Sequence, residues 1–301
     1  LDGSKTSNGW QKFVPNEQNV MVKNPGRGFV SSANQYPVDE TYPYYITASN
    51  FEAYRNRRIN KILGSSDQIQ PADMMKLQND NYNLKAEESL PYFLSVLDTT
   101  AFTKQEKEAY RFLSTWDYYN HKNSVGASYY EAWWDNLMPM LWDELRQENI
   151  TLTMPTTFNT IRLLKEQPTL GFFDIQQTSE KETAADVIRK AFTFGVEDIE
   201  SWKEEHASVI VEWGDYKDSY MGHLMRLEPL SVHVKSGGNH DIVNAHGRTK
   251  GPSWRMIVSL ENTGVKMWGI YPGGQSGNPG SVFYSNMIDY WVNGQYFPML
   301  F

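Results

Sequence analysis

Gly251-Pro-Ser-Trp-Arg-Met-Ile-Val-Ser-Leu260 is a turn that runs into a strand, and Trp268-Gly-Ile-Tyr-Pro-Gly-Gly-Gln-Ser-Gly-Asn-Pro-Gly280 is a second strand that runs into a long glycine and proline turn. Ser281-Val-Phe-Tyr-Ser-Asn-Met-Ile-Asp-Tyr-Trp-Val-Asn293 then reads as a short amphipathic helix ahead of Gly294-Gln-Tyr-Phe-Pro298. Working back, Val209 to Trp213 and the tail from Ser231 alternate short strands with glycine-rich turns. Residues 70–206 carry helical patterns instead, with helices expected at 84–98, 103–116, 128–146, 184–194 and 197–206. Pro139 is expected to kink or break the third of these. Residues 1–36 are rich in Gly, Asn, Pro and Ser. Their apolar runs are short, and Phe29-Val30 after the Asn24-Pro-Gly-Arg-Gly28 turn reads as a strand. Ser49-Asn50 is placed to cap a helix over 51–63, which Gly64 closes. The order strands, helices, strands predicts an α+β body with an inserted helical region.

Composition removes several function classes. A net charge of −8 opposes nucleic-acid binding, which needs a basic patch or stripe. No run of ~18 apolar residues is present, so no membrane-spanning helix is expected. The absence of cysteine excludes thiol catalysis, disulfides and cysteine-ligated zinc within this chain. The many Trp and Tyr residues suggest half-buried surfaces or grooves, since each ring needs a partner for its polar tip. Adjacent carboxylates such as Glu87-Glu88 and Asp143-Glu144 do not face each other on a helix and give no glycosidase pair.

The segments Gly28-Phe-Val-Ser-Ser-Ala-Asn34, Tyr54-Arg55-Asn-Arg57-Arg58-Ile59 and the Gly273 to Gly280 turn, in this order, resemble the C-terminal end of the penicillin acylase family of N-terminal-nucleophile hydrolases. Trp116-Asp117 after Arg111-Phe-Leu113 is similar to a further signature of that family. The resemblance implies the C-terminal half of a four-layer αββα sandwich with a large helical insertion. Residues 1–65 would supply core strands and loops ending in an arginine-bearing helix, 66–206 the mainly helical insertion, and 207–301 strands and turns returning to the core. It also implies an amidohydrolase acting on an N-acyl compound: a β-lactam antibiotic, an acyl-homoserine lactone or another acylated amine. The family's nucleophile is a Ser, Thr or Cys at the free start of a processed β-chain. The chain begins with Leu1, so it is expected to be inactive alone, to need the upstream part of its precursor as partner, and to work in the periplasm or outside the cell.

Two residues take catalytic roles by this resemblance. Asn34 matches the asparagine whose amide donates to the oxyanion, although Asn also starts turns readily. A fixed donor aimed at that charge lowers the barrier by roughly 3–4 kcal/mol. Arg55, counted back from Ile59, matches the active-site arginine, and Arg57 and Arg58 are the solvent-facing or ion-paired alternatives. A nearby guanidinium favours the neutral α-amine that the mechanism uses as base. No substrate-binding residue, cofactor or metal ligand is assigned. The aspartate that contributes to a structural calcium in the family would fall near Pro43 or Tyr44. His233, His240 and His246 with Asp241 match no helix-borne zinc motif and are placed in a loop near the substrate mouth. Ser276 lacks the strand–turn–helix setting of a nucleophile elbow, so its turn is read as structural, as is Arg255, expected buried against a carboxylate. The alternative is a non-catalytic module that binds carbohydrate or peptide in an aromatic-lined groove. Apolar strand faces exposed near 29–33 and 254–260 would separate the two, because an autonomous module has no reason to leave them open.

Overall fold

The computed structural model describes residues 2–10, 12–47, 52–147 and 150–300. Over 2–47 the chain forms single 3₁₀ turns and loops, and none of its described residues there is buried. The body begins with helix α1 (Tyr54–Gly64) and continues through α2 (Pro71–Gln78), α3 (Leu84–Ser95), α4 (Lys104–Ser114) and α5 (Val125–Leu141). A small hairpin, β1 (Arg146–Gln147) with β2 (Ile150–Thr151), leads to α6 (Thr157–Glu166) and the long α7 (Ala184–Glu205). The short α8 (Trp213–Lys217) precedes a second hairpin, β3 (Ser219–Met221) with β4 (Val232–Val234). The tail forms β5 (Arg255–Glu261), β6 (Gly264–Ile270), α9 (Ile288–Val292) and β7 (Phe297–Met299). The architecture is α+β, as the sequence order predicts.

Local chemistry accounts for the helix starts. Asn83, Thr103, Ser124 and Thr156 each accept a hydrogen bond from a first-turn N–H, giving α3, α4, α5 and α6 their caps. The Ser49-Asn50 cap and Phe51 lie outside the described residues, and α1 starts at Tyr54. Pro139 falls in the last turn of α5, so the helix ends two residues later instead of kinking. The expected division between 194 and 197 is absent, and α7 runs unbroken for 22 residues. Gly195 is there for proximity: a Cβ on it would meet the Trp133 backbone nitrogen at 2.8 Å. The hydrophobic core lies along this contact. Trp133 packs on Phe93 and Phe192 and donates its indole N–H to Ile188 O at 2.9 Å. Val209 to Trp213 forms no strand either, because α8 begins at Trp213 and Val211 enters the core, its carbonyl accepting from Ser128 Oγ.

The tail sheet has the order β5-β6-β7, antiparallel throughout. Its register runs from Arg255 opposite Ile270 to Glu261 opposite Gly264, and Met267 faces Met299. Along β5, Arg255 and Ile257 point into the protein while Met256, Val258 and Leu260 point out. The outward face is apolar. Met256, Val258, Leu260 and Val265 are 42%, 41%, 83% and 37% exposed. An open apolar strand face of this kind is the mark of a surface made to be covered by another layer or chain. Residues 28–34 do not join this sheet and form no strand, contrary to the sequence reading. Strand pairing needs an adjacent open ladder, and on the β5 side Gln78 Nε2 of α2 bonds Met256 O at 3.2 Å. Val30 stays 62% exposed.

Candidate active site

Helix α1 presents three arginines, and their partners sort them. Arg57 is ion-paired with Glu88. Arg58 pairs with Asp80 at 2.8 Å, reaches Tyr119 Oη and lies 4.1 Å above the Tyr82 ring. Arg55 has no carboxylate partner among the described residues. It donates from Nη2 to Asn34 Oδ1 at 2.8 Å, across 21 residues of sequence. The structure thus brings together the two residues that the sequence reading singled out. Asn34 has φ +59°, the left-handed region that Asn adopts more readily than most residues. A guanidinium only donates, so this bond requires the amide oxygen to face Arg55. The Nδ2–H₂ end then points away, and it has no acceptor among the described residues. An outward amide donor, polarised by a cation behind it, can stabilise negative charge developing on a carbonyl oxygen.

The loop bearing Asn34 is tied to α1 by residues the sequence reading passed over. Ser31 Oγ donates to Asn60 Oδ1 at 2.8 Å, Asn60 Nδ2 donates to Asn56 Oδ1 at 2.8 Å, and Asn56 Nδ2 donates back to Ser31 Oγ at 3.2 Å. Arg27 adds a bond to Asn60 Oδ1 at 3.2 Å and stacks on Phe29. Asparagine is a poor helix former, and two of them one turn apart on α1 are the sequence signal of this contact. Just before α1, the Glu52 carboxylate accepts from the backbone N–H groups of Thr157 and Phe158 and thereby binds the start of α6.

The other candidates separate. His233 lies on β4, bridging Asp218 at 2.6 Å and Glu228 at 2.8 Å. These carboxylates raise its pKa, Glu228 acting most strongly. His246 is buried edge-on to Trp291, and desolvation pushes its pKa down to about 3, with help from Lys217 and Arg255. Among the described residues no group of three or more His, Asp or Glu side chains converges as a metal shell. Asp39 is used by Thr41, while Tyr42 and Tyr44 both reach Gln18. These residues do not fit a calcium site. Arg255 is buried but has no carboxylate partner among the described residues: it donates to Trp291 O at 2.6 Å and Asn244 Oδ1 at 2.7 Å, above the Trp291 ring. Neutral acceptors and the aromatic face take up the two Nη groups, Nε is left without a hydrogen-bond partner among the described residues, and burial lowers the pKa to about 10. Lys217, unnoticed in the sequence, is buried and donates to the carbonyls of Gly237, Gly238 and His246. In the tail turn, a Cβ at Gly274 would meet Phe283 O at 1.9 Å, and Ser276 Oγ accepts from Asn278 N. The glycines permit close backbone approach, and Ser276 has turn geometry.

A sequence profile of the penicillin amidase family matches the chain over residues 1–301. Acyl-homoserine lactone acylase QuiP of Pseudomonas fluorescens Pf-5 is 22% identical over 318 residues, covering 95% of this chain and 38% of the relative. The protein of the same name from Pseudomonas aeruginosa PAO1 is 23% identical over 332 residues, covering 95% and 39%. The chain therefore spans about two fifths of the length of these curated relatives. The solved structure of thermostable penicillin G acylase from Alcaligenes faecalis shares the fold, with a TM-score of 0.57 and 13% identity over 92% of this chain and 54% of that one. The profile match over the whole chain, with this shared fold, places the protein in the penicillin amidase family.

Proposed function

We propose that the chain is the C-terminal portion of an amidase that hydrolyses an N-acyl compound, with Asn34 as oxyanion donor and Arg55 as the cation behind it. The observation that carries this reading is the Arg55 to Asn34 hydrogen bond, which leaves the amide N–H₂ outward. The upstream part of the precursor supplies a Ser, Thr or Cys whose own α-amine removes its proton as it attacks the acyl carbonyl. The carbonyl oxygen becomes an oxyanion bonded by Asn34. Collapse of the tetrahedral intermediate expels the amine, and water then releases the acid. Arg55 disfavours a second positive charge on the α-amine, lowers its pKa and so keeps it unprotonated at neutral pH. The open apolar face of Met256, Val258, Leu260 and Val265 supports a larger assembly over an autonomous binding module. The names of the relatives put acyl-homoserine lactones first among substrates to test, and that of the solved neighbour puts penicillin G second. A periplasmic or secreted site of action fits the family.

Kinetics on the full-length processed enzyme test this. Asn34→Ala should lower kcat by roughly 10²–10³ with an unchanged melting curve. Arg55→Ala should shift the acid limb of the pH profile upward, since losing a cation raises the pKa of the amine. This chain alone should give background hydrolysis. A fully active Asn34→Ala enzyme, or turnover by the chain alone that disappears on mutating Ser276, would refute the assignment.

A further inference from the structure

We propose that Ser31, Asn56 and Asn60 are positioning residues that aim the Asn34 amide, an inference that rests on the oxyanion reading of Asn34. Their three hydrogen bonds close a ring in which each side chain donates to the next and accepts from the previous one. Such a cycle polarises all its members in one sense, so it holds better than three separate bonds. Asn56 is buried, and Ser31 and Asn60 are half-buried, which shields the ring from competing water.

The loop has little else to hold it. Among the described residues, no backbone–backbone hydrogen bond involves residues 29–35. Gln35 clasps the turn internally by accepting from Ala33 N at 2.7 Å, which fixes its shape but not its place. Attachment to the body comes from the ring, from the Arg27 bond to Asn60, and from Arg55 to Asn34 itself. The last of these is on an exposed side chain and orients only the amide. The ring acts three residues upstream, on the helix that also carries Arg55, so donor and cation share one rigid support. An oxyanion donor tolerates little error, and a misplacement of about 1 Å can lower the rate as much as ~10²-fold.

The ring is tested in the full-length processed enzyme with Ser31→Ala, which opens it, and Ser31→Thr, which retains the hydroxyl. Kinetics on an acyl-homoserine lactone are paired with hydrogen exchange of the 27–38 segment, a readout that needs no activity. Ser31→Ala should lower kcat roughly tenfold or more with little change in KM, since a misaimed donor loses transition-state contact only. Exchange in the segment should accelerate, and Ser31→Thr should restore both. Asn60→Asp, which keeps the acceptor for Ser31 and Arg27, should lie between the two. Unchanged exchange in Ser31→Ala overturns the ring as the anchor. Accelerated exchange with unchanged kcat, beside a crippled Asn34→Ala enzyme, overturns the aiming role alone. A fully active Asn34→Ala enzyme removes the oxyanion reading and this inference with it.

Discussion

Glu131→Gln is expected to destabilise the protein by about 3 kcal/mol, toward the low end of what breaking a buried ion pair costs. Glu131 sits in the middle of α5 at 3% exposure. One carboxylate oxygen accepts from Lys85 Nζ at 3.1 Å, and the other accepts from Asn83 Nδ2 at 3.0 Å and Asn120 Nδ2 at 2.9 Å. Asn83 also caps α3, so one side chain ties together α3, α5 and the loop after α4. A glutamine retains a single acceptor oxygen and turns an N–H₂ toward partners that only donate. It also leaves the Lys85 ammonium, itself buried, without a counter-charge. Hydrogen bonds to charged groups contribute ~1.5–3 kcal/mol each, so losing the ion pair alone reaches the expected range. The Trp134 face, 4.7 Å from Nζ, is present in parent and variant alike and so leaves the difference unchanged. The assay is urea denaturation followed by tryptophan fluorescence, with Lys85→Met and the double variant completing a cycle. In the double variant the glutamine N–H₂ meets a thioether in place of an ammonium, so it should be no less stable than Glu131→Gln. The coupling should exceed about 1 kcal/mol. A Glu131→Gln protein within ~0.5 kcal/mol of the parent, or strictly additive single effects, refutes the reasoning.

Gly195→Ala pits about 1 kcal/mol of gained helix propensity against a clash with the Trp133 backbone at 2.8 Å. Neither backbone can rotate away, so the melting temperature should fall, and a rise would show that α5 and α7 have room to spare. His246 gives a pH dependence. Its folded pKa of about 3 lies below the ordinary 6.5, so the unfolded chain takes up a proton first as pH falls through 6.5. Its contribution is complete above that pH and is lost on acidification, by about 2 kcal/mol between pH 8 and pH 5. Denaturation midpoints across this range should show the slope in the parent and a shallower one in His246→Gln, and equal slopes would count against the buried neutral imidazole.

The two tail strands were legible because short apolar runs bounded by glycine and proline turns are a local signal. The Asn34 and Arg55 pairing was legible only through likeness to a family, since no local rule joins residues 21 apart. Phe29-Val30 was misread for a physical reason: an apolar run bounded by glycine says that a strand is possible, not that a neighbouring ladder is present to pair with it. The division expected between 194 and 197 does not occur, and the role of Gly195, close approach to Trp133, belongs to tertiary contact that a local pattern does not display. The ring of Ser31, Asn56 and Asn60 was hidden for a similar reason, because asparagines on a polar helix look interchangeable until their partners are known.

The amide of Asn34 is a rotor with two nearly isosteric ends, and Arg55 chooses between them. The size of that choice is bounded. Without Arg55, free flipping would leave the donor end outward about half the time, an entropy of only ~0.4 kcal/mol, or a factor of about two in rate. A larger loss on removing the arginine therefore lies outside the flip itself, in the loss of its charge or of its share in anchoring the loop to α1.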